Sequence, residues 1–233
     1  TVNEVIIRNR DGVQKIMKHK AKVDSWAMAD AKKYKGGLAE AYYVMGNLFY
    51  FKKLRPEAVY AFAKAAELKP TNALYLNNLS SLIMDYNKYS DAVILLKEVT
   101  RNFPNLSSSW GNLALAQLKM GNYPAADSAI RMARRLDPEN GLFCYTGGKI
   151  KEGKGDKTGA AKDFAEAWDK GYAGEGREGA KNASVAKKPA PPKKPSKTKG
   201  EEKKDKLAQW EGHYEADAVS ARSGETAKEA NTT

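Results

Sequence analysis

The sequence is poor in the residues that build covalent frameworks and many catalytic centres. Its 233 residues include one cysteine, Cys144, and two histidines, His19 and His213. A single thiol excludes an internal disulfide framework. His19 and His213 are too far apart in sequence to give a metal cluster or a Cys/His pair a plausible spacing. We therefore expect no metal, no cofactor and no catalytic residue, and we expect Cys144 to be a buried, inert thiol.

Long hydrophobic runs are also missing. The longest, Ala41 to Phe51, is interrupted by Gly46 and Asn47, whereas a bilayer span needs about 20 apolar residues. Residue 1 is Thr, and no stretch has the charged start and apolar middle of a secretory signal. The sequence predicts no transmembrane helix, and it leaves open both an exported mature protein and a truncated chain.

Two segments come close to the phosphate-binding motifs of nucleotide enzymes, but neither has the residues and context that those motifs need. Gly148 to Gly155 has Gly155 where the P-loop needs a hydroxyl, and Gly174 to Gly179 matches GxGxxG without a preceding strand or a following βαβ unit. We expect a non-catalytic protein with no small-molecule substrate.

The net charge of +12 is unevenly distributed. Lys181 to Lys199 holds seven lysines and no acid, whereas Gly200 to Thr233 holds five basic and eight acidic residues. A nucleic-acid reader usually concentrates charge on its folded recognition surface. Binding of nucleic acid or an anionic membrane through Lys187 to Lys199 is therefore a minority hypothesis.

The strongest pattern is an internal repeat of 34 residues. Three prolines are spaced by that period, and other fixed positions fall into register with them. The repeats are Ala39 to Asn72, Ala73 to Leu106 and Ser107 to Asn140. Positions 4, 8, 20, 24, 27 and 32 hold Tyr42, Gly46, Ala58, Phe62, Ala65 and Pro70 in the first, Leu76, Ser80, Ala92, Leu96, Val99 and Pro104 in the second, and Trp110, Ala114, Ala126, Ile130, Ala133 and Pro138 in the third.

These residues resemble the tetratricopeptide repeat (TPR) consensus. The resemblance implies an all-α, right-handed solenoid of antiparallel helix pairs with a concave groove. Small residues at positions 8, 20 and 27 allow the two helices of a pair to approach closely. Pro56 and Pro124 indicate the starts of second helices, because proline is tolerated in a first helical turn.

The regions flanking the three repeats are less regular. Gly141 to Gly174 is a degenerate fourth unit, whose first helix is weakened by Gly147, Gly148 and Gly153. The solenoid is thus predicted over residues 39–174. Residues 1–38 form a lead-in in which Val13 to Tyr34 predicts a helical pair or decayed repeat, and β-branched Val2 to Ile7 indicates a short extended strand or docking arm.

The composition changes abruptly after Gly174. Residues 175–206 run from Gly-rich to Lys/Pro-rich sequence and predict an extended linker. In residues 207–233, the spacing of Leu207, Trp210 and Tyr214 suits one helical face. This segment is either a tethered docking motif, with Trp210 and Tyr214 as its contacts, or a disordered tail.

The TPR resemblance implies which side chains face the groove. The predicted peptide-binding residues are Tyr43, Asn47, Asn77, Asn78, Ser81, Ser108 and Asn112. Asn47 and Asn78 match the two asparagines of the clamp with which family members grip acidic chaperone tails. The cationic clamp positions hold Tyr43, Ser108 and Asn112, so a carboxylate would lack a charged partner.

Asn78 and Asn112 also resemble the asparagine ladder of the O-linked GlcNAc transferase superhelix, in which amides pair with an extended peptide backbone. The alternative is that asparagine is common there because it caps helices or faces solvent. We expect a protein-binding scaffold or adaptor. A structural subunit of a homo-oligomeric assembly or filament, joined through terminal arms, is the alternative.

Overall fold

The computed structural model describes residues 1–33 and 37–172, which fold into ten helices without a strand in those ranges. Their bounds are α1 Val2–Gln14, α2 Lys20–Lys33, α3 Leu38–Phe51, α4 Arg55–Leu68, α5 Ala73–Met84, α6 Tyr89–Asn102, α7 Ser107–Lys119, α8 Tyr123–Leu136, α9 Gly141–Gly153 and α10 Lys157–Asp169. The predicted all-α class is confirmed over the described residues.

Proline and asparagine set the helix boundaries that the repeat predicts. Pro56 and Pro124 lie in the first turns of α4 and α8, where a missing N–H costs nothing because that group has no helical partner. Asn72 caps α5 because its Oδ1 accepts hydrogen bonds from the N–H groups of Leu74 and Tyr75, at 3.0 and 3.2 Å. Local sequence signals thus produce the helix pairs.

Each pair is held together by small side chains facing large ones. The repeat positions predicted to be small are fully buried, including Ala58, Ala65, Ser80 and Ala92. At Gly46 a Cβ would lie 2.5 Å from the Phe62 ring, so no larger residue fits without a shift. The close approach of α3 and α4 therefore depends on this glycine.

The prediction of a short extended strand at Val2 to Ile7 is wrong, because these residues begin α1. The helix starts with a capping box, in which Thr1 Oγ1 accepts from the Glu4 N–H while the Glu4 side chain reaches back to residue 1. Val5 and Ile6 are buried on the face that packs against the protein. Their β-branching is compatible with a helix because burial outweighs its small propensity cost.

The lead-in contains two helices, but α1 does not pair with α2 as in a regular repeat. α1 packs along α4 and reaches α6. Asp91 on α6 accepts hydrogen bonds from Arg8 and, at 2.7 Å, from Asn9 Nδ2. α1 therefore lies across the second helices of two repeats.

α2 packs on α3 and is fixed by one buried polar cluster. The Asp24 carboxylate accepts hydrogen bonds from the hydroxyls of Tyr42, at 2.7 Å, and Tyr60, at 3.0 and 3.1 Å. The two tyrosines lie on α3 and α4. This cluster ties α2 to both helices of repeat one.

The chain divides into two compact units, Thr1–Pro138 and Glu139–Thr233. In the described part of the second, α9 and α10 form a pair. The expectation that glycines make the first helix of this unit poor is not met, since α9 runs for 13 residues. At Gly148 a Cβ would lie 2.5 Å from the Phe164 ring, so this glycine serves the same packing as Gly46. Cys144 is buried here, as predicted.

Candidate peptide-binding face

The predicted binding residues lie on α3, α5 and α7, the first helices of the three repeats. We call this row of helices the first-helix face. It is built by contacts between successive first helices: the Tyr43 ring on α3 lies 5.0 Å from that of Tyr75 on α5, and Asn78 Nδ2 points to the Tyr43 hydroxyl at 3.4 Å. Tyr43 also packs against Phe62, at 5.9 Å.

The next step along the row is a hydrogen-bonded cluster. Asn77 Oδ1 on α5 accepts from Ser109 Oγ and from Asn112 Nδ2, both on α7 and both at 3.0 Å. Asn77 and Asn78 are buried. These amides are therefore partly engaged inside the protein, where they fix the spacing of the first helices.

Two other predicted residues have a different environment. Asn47 Oδ1 on α3 and Ser108 Oγ on α7 are buried atoms for which the described part of the chain offers no hydrogen-bond partner. A buried polar atom left unpaired costs about 1–3 kcal/mol, and such atoms are uncommon in folded proteins.

Ser81, the remaining predicted residue, is exposed on α5. Sequence reasoning missed Tyr75 and Ser109, which occupy position 3 of their repeats and contact the preceding first helix. The signal for them was present in the 34-residue register. Position 3 was not among the positions that the family resemblance assigns to the groove.

The seven predicted side chains are neutral and polar, without a lysine or arginine among them. These seven side chains can donate and accept hydrogen bonds but offer no cation to a carboxylate. No group of three or more His, Cys, Asp and Glu residues in the described ranges is arranged to hold a metal ion. None of the described helices is long and apolar enough to cross a membrane.

The remaining predictions, on the tail at Trp210, Tyr214 and Lys187 to Lys199, lie outside the described residues. They stay hypotheses drawn from the sequence.

Comparison with known structures supports the helix-pair architecture. The chain is similar to a thermophilic TPR protein from Thermus thermophilus, with a TM-score of 0.57 and 16% identity over 62% of this chain and 80% of that one. It is also similar to YrrB, described as a TPR protein with an unusual peptide-binding site, with a TM-score of 0.54 and 21% identity over 62% of this chain and 74% of that one. The chain has a tetratricopeptide-repeat fold.

Sequence comparison agrees with this fold. No protein-family model matches the chain. It is 30% identical over 103 residues to heat shock protein STI1 of Saccharomyces cerevisiae, a match that spans 44% of this chain. That match covers 18% of the yeast protein.

Proposed function

We propose that this protein is a non-catalytic adaptor whose first-helix face binds an extended, polar polypeptide segment. The TPR fold and the relatives support a role in protein interaction. The observation that carries the finer proposal is the pair of buried, unpartnered atoms, Asn47 Oδ1 and Ser108 Oγ. A peptide N–H donated to each would remove a cost that the free protein bears.

The seven predicted side chains are neutral, and this limits the charge of a partner that they can bind. The yeast relative is named a heat shock protein, and acidic chaperone tails are the ligands of the charged TPR clamp. Here Tyr43, Ser108 and Asn112 stand at the clamp's cationic positions, so a terminal carboxylate gains no charged partner. The preferred ligand is accordingly an internal, uncharged stretch of chain, bound with little dependence on salt.

The first test is a selection of random peptides on the full-length protein, followed by calorimetry with the best binder. We expect Asn47→Ala and Ser108→Ala each to weaken the peptide about 5- to 10-fold, since each removes one hydrogen bond of about 1 kcal/mol. Neither variant should be less stable than wild type, because the free protein does not make the hydrogen bond that the substitution removes. Weaker binding at undiminished stability is the signature of a ligand-facing atom.

The matched control is Ser90→Ala, an exposed serine in the first turn of α6, a second helix. It should leave the affinity unchanged. Peptides that bind equally well to the Asn47, Ser108 and Ser90 variants would contradict the proposal. So would an affinity that falls tenfold or more between low and physiological salt.

A second candidate function is a structural subunit of a homo-oligomeric assembly. It is favoured by exposed apolar side chains on α2 and α3, among them Trp26, Val44 and Leu48.

A further inference from the structure

Among the residues that the structure describes, one helix position of the repeat pattern is unfilled. α2 packs on α3 as α4 packs on α5 and α6 on α7, so α2 occupies the position of a second helix from a preceding repeat. The first helix of such a repeat would lie against both α2 and α3. α1, which precedes α2 in sequence, packs along α4 and α6 instead. The position beside α2 and α3 therefore has no helix of the described chain in it.

The uncovered side chains show that this position is apolar. At position 6 of the first helix, Asn78 of repeat two and Asn112 of repeat three bond to the preceding first helix and are 4% exposed and half-buried. At position 10, Leu82 is 3% exposed and Ala116 is fully buried. The equivalent residues of repeat one are Val44 and Leu48, and they are 60% and 52% exposed. Val44 and Leu48, two apolar residues one helical turn apart, are thus exposed at positions where the other repeats bury most of the equivalent side chains.

Leu48 also lines a cavity of about 420 Å³. Its apolar lining includes Met45, Phe49 and Trp26, whose ring lies 6.4 Å from that of Phe49 and whose side chain is 43% exposed. An opening of this size and lining accepts a bulky aromatic side chain. We name the surface made by Trp26, Val44, Leu48 and Lys52 the α2–α3 slot.

The charge at the slot favours an acidic occupant. Lys52 lines the cavity and Lys53 follows it; both are exposed, and within the described ranges neither makes a salt bridge. Asp30 and His19 are the other ionisable residues of the lining. A helix that brings an aromatic residue flanked by carboxylates would satisfy both the cavity and the lysines.

The chain carries a segment with that chemistry. Leu207, Trp210 and Tyr214 have the spacing of one helical face, and residues 207–221 contain three acids, Glu211, Glu215 and Asp217, without a lysine or arginine. No described element accounts for this amphipathic pattern. Its bulky aromatic residues and negative charge match the apolar cavity and the lysines of the slot.

We propose that the C-terminal segment Leu207 to Arg222 of a second copy docks in the α2–α3 slot. A second copy is within reach of this segment, because Lys187 to Lys199 is rich in lysine and proline over 13 residues, a composition typical of an extended spacer. An extended spacer of 13 residues spans about 40 Å. Two chains exchanging segments bury two slots at once and close a two-fold dimer.

The first measurement is light scattering of the full-length protein over a wide range of concentrations. We expect the mass to rise from that of a monomer to twice that value. Leu48→Asp in the slot and Trp210→Ala/Tyr214→Ala in the segment should each weaken dimerisation tenfold or more. Both changes lie on exposed or terminal positions, so the helical content should stay that of wild type. Met120→Asp, at a residue 50% exposed after α7, is the matched control and should leave the dimer intact.

A mixing experiment identifies the occupant. The Leu48→Asp chain keeps its segment, and the Trp210→Ala/Tyr214→Ala chain keeps its slot, so each alone should be monomeric. A mixture of the two should form a heterodimer through the one intact slot–segment pair. A charge exchange tests the pairing independently: Lys52→Glu should weaken the dimer, and Glu211→Lys/Glu215→Lys in the same chain should restore it.

Two outcomes would overturn the proposal. A wild-type protein that stays monomeric at every concentration has no second copy in the slot. Dimers that persist after Trp210→Ala/Tyr214→Ala have another occupant, such as the α1 of a neighbour. The tail variant keeps Asn47 and Ser108, so its affinity for the selected peptides should be that of wild type, and the two proposals fail separately.

Discussion

At the scale of single residues, Gly46 and Phe62 determine how closely α3 and α4 approach. The Phe62 ring fills the space where a side chain at position 46 would stand. Gly148 and Phe164 repeat the arrangement in the second compact unit. A glycine in a helix normally costs about 1 kcal/mol, and here the close packing that it permits offsets that cost.

Replacing this glycine should therefore destabilise the protein. Gly46→Ala should lower the free energy of unfolding by about 1–3 kcal/mol, because a Cβ overlaps a buried ring. Gly12→Ala in α1 is the control, since nothing lies within 4 Å of its Cβ position and reduced chain entropy should stabilise it by about 0.5–1 kcal/mol. Urea denaturation measures both. A Gly46→Ala protein as stable as wild type would show that Phe62 moves aside freely.

The tyrosines that donate to Asp24 should make the fold sensitive to alkali. Burial and the bonded Asp24 carboxylate raise the pKa of Tyr60 to about 12, and the same two causes raise the pKa of Tyr42. The unfolded chain has ordinary tyrosine pKa values near 10. Above pH 10 it therefore releases protons that the folded state still holds, so the stabilisation present below pH 10 is lost as pH approaches 12.

Thermal melts of wild type and Tyr42→Phe/Tyr60→Phe at pH 9 to 11.5 test this. The double variant should start from a lower melting temperature and lose less of it as pH rises. Tyr123→Phe, on α8 away from Asp24, should follow the wild-type slope. Parallel slopes for all three proteins would mean that these hydroxyls do not control the alkaline transition.

At the scale of elements, α1 is held by a mixture of apolar and ionic contacts. Val5, Ile6 and Val13 are buried, and Asp91, with a side chain only 10% exposed, receives Arg8 and Asn9. Removing the charge of a buried acceptor leaves its donors poorly paired. The attachment of α1 to α6 therefore depends on this one carboxylate.

Asp91→Asn should loosen α1 without unfolding the repeats. We expect a loss of about 1–3 kcal/mol in stability and faster hydrogen exchange in residues 2–14, with α7 and α8 unchanged. Asp85→Asn is the comparison, because its ion pair with Arg55 is exposed and contributes at most about 1 kcal/mol. Unchanged exchange in α1 would show that its apolar face alone secures it.

The same element shows where sequence reasoning fails. The Pro-bounded helices α4 and α8 were predictable because their signals are local and recur every 34 residues. The segment Val2 to Ile7 forms a helix although its β-branched residues favour a strand. The Thr1–Glu4 capping box is the local signal for that helix. Neither signal could show that α1 packs on α4, since that contact joins distant residues such as Arg10 and Glu67, which are 57 positions apart.

At the scale of the whole molecule, two different surfaces have proposed binding roles. We propose that Asn47 and Ser108 on the first-helix face bind an extended peptide and that the α2–α3 slot binds the C-terminal segment of a second copy. One chain could then bind a partner while it dimerises. Peptide affinity measured above and below the dimerisation midpoint should agree, because the binding residues and the slot residues are different.

The 34-residue period predicted the helix pairs of the three repeats, the buried small residues between them and the neutral character of the seven predicted side chains. These follow from periodic apolar positions, caps and prolines, which act within one repeat. Tertiary structure decided that Asn77 pairs with Asn112 and Ser109, that Asn47 and Ser108 hold unpaired atoms, and that α1 leaves the slot beside α2 and α3 uncovered. Those features depend on which helices meet in space, and contacts between distant segments are not encoded in any local pattern.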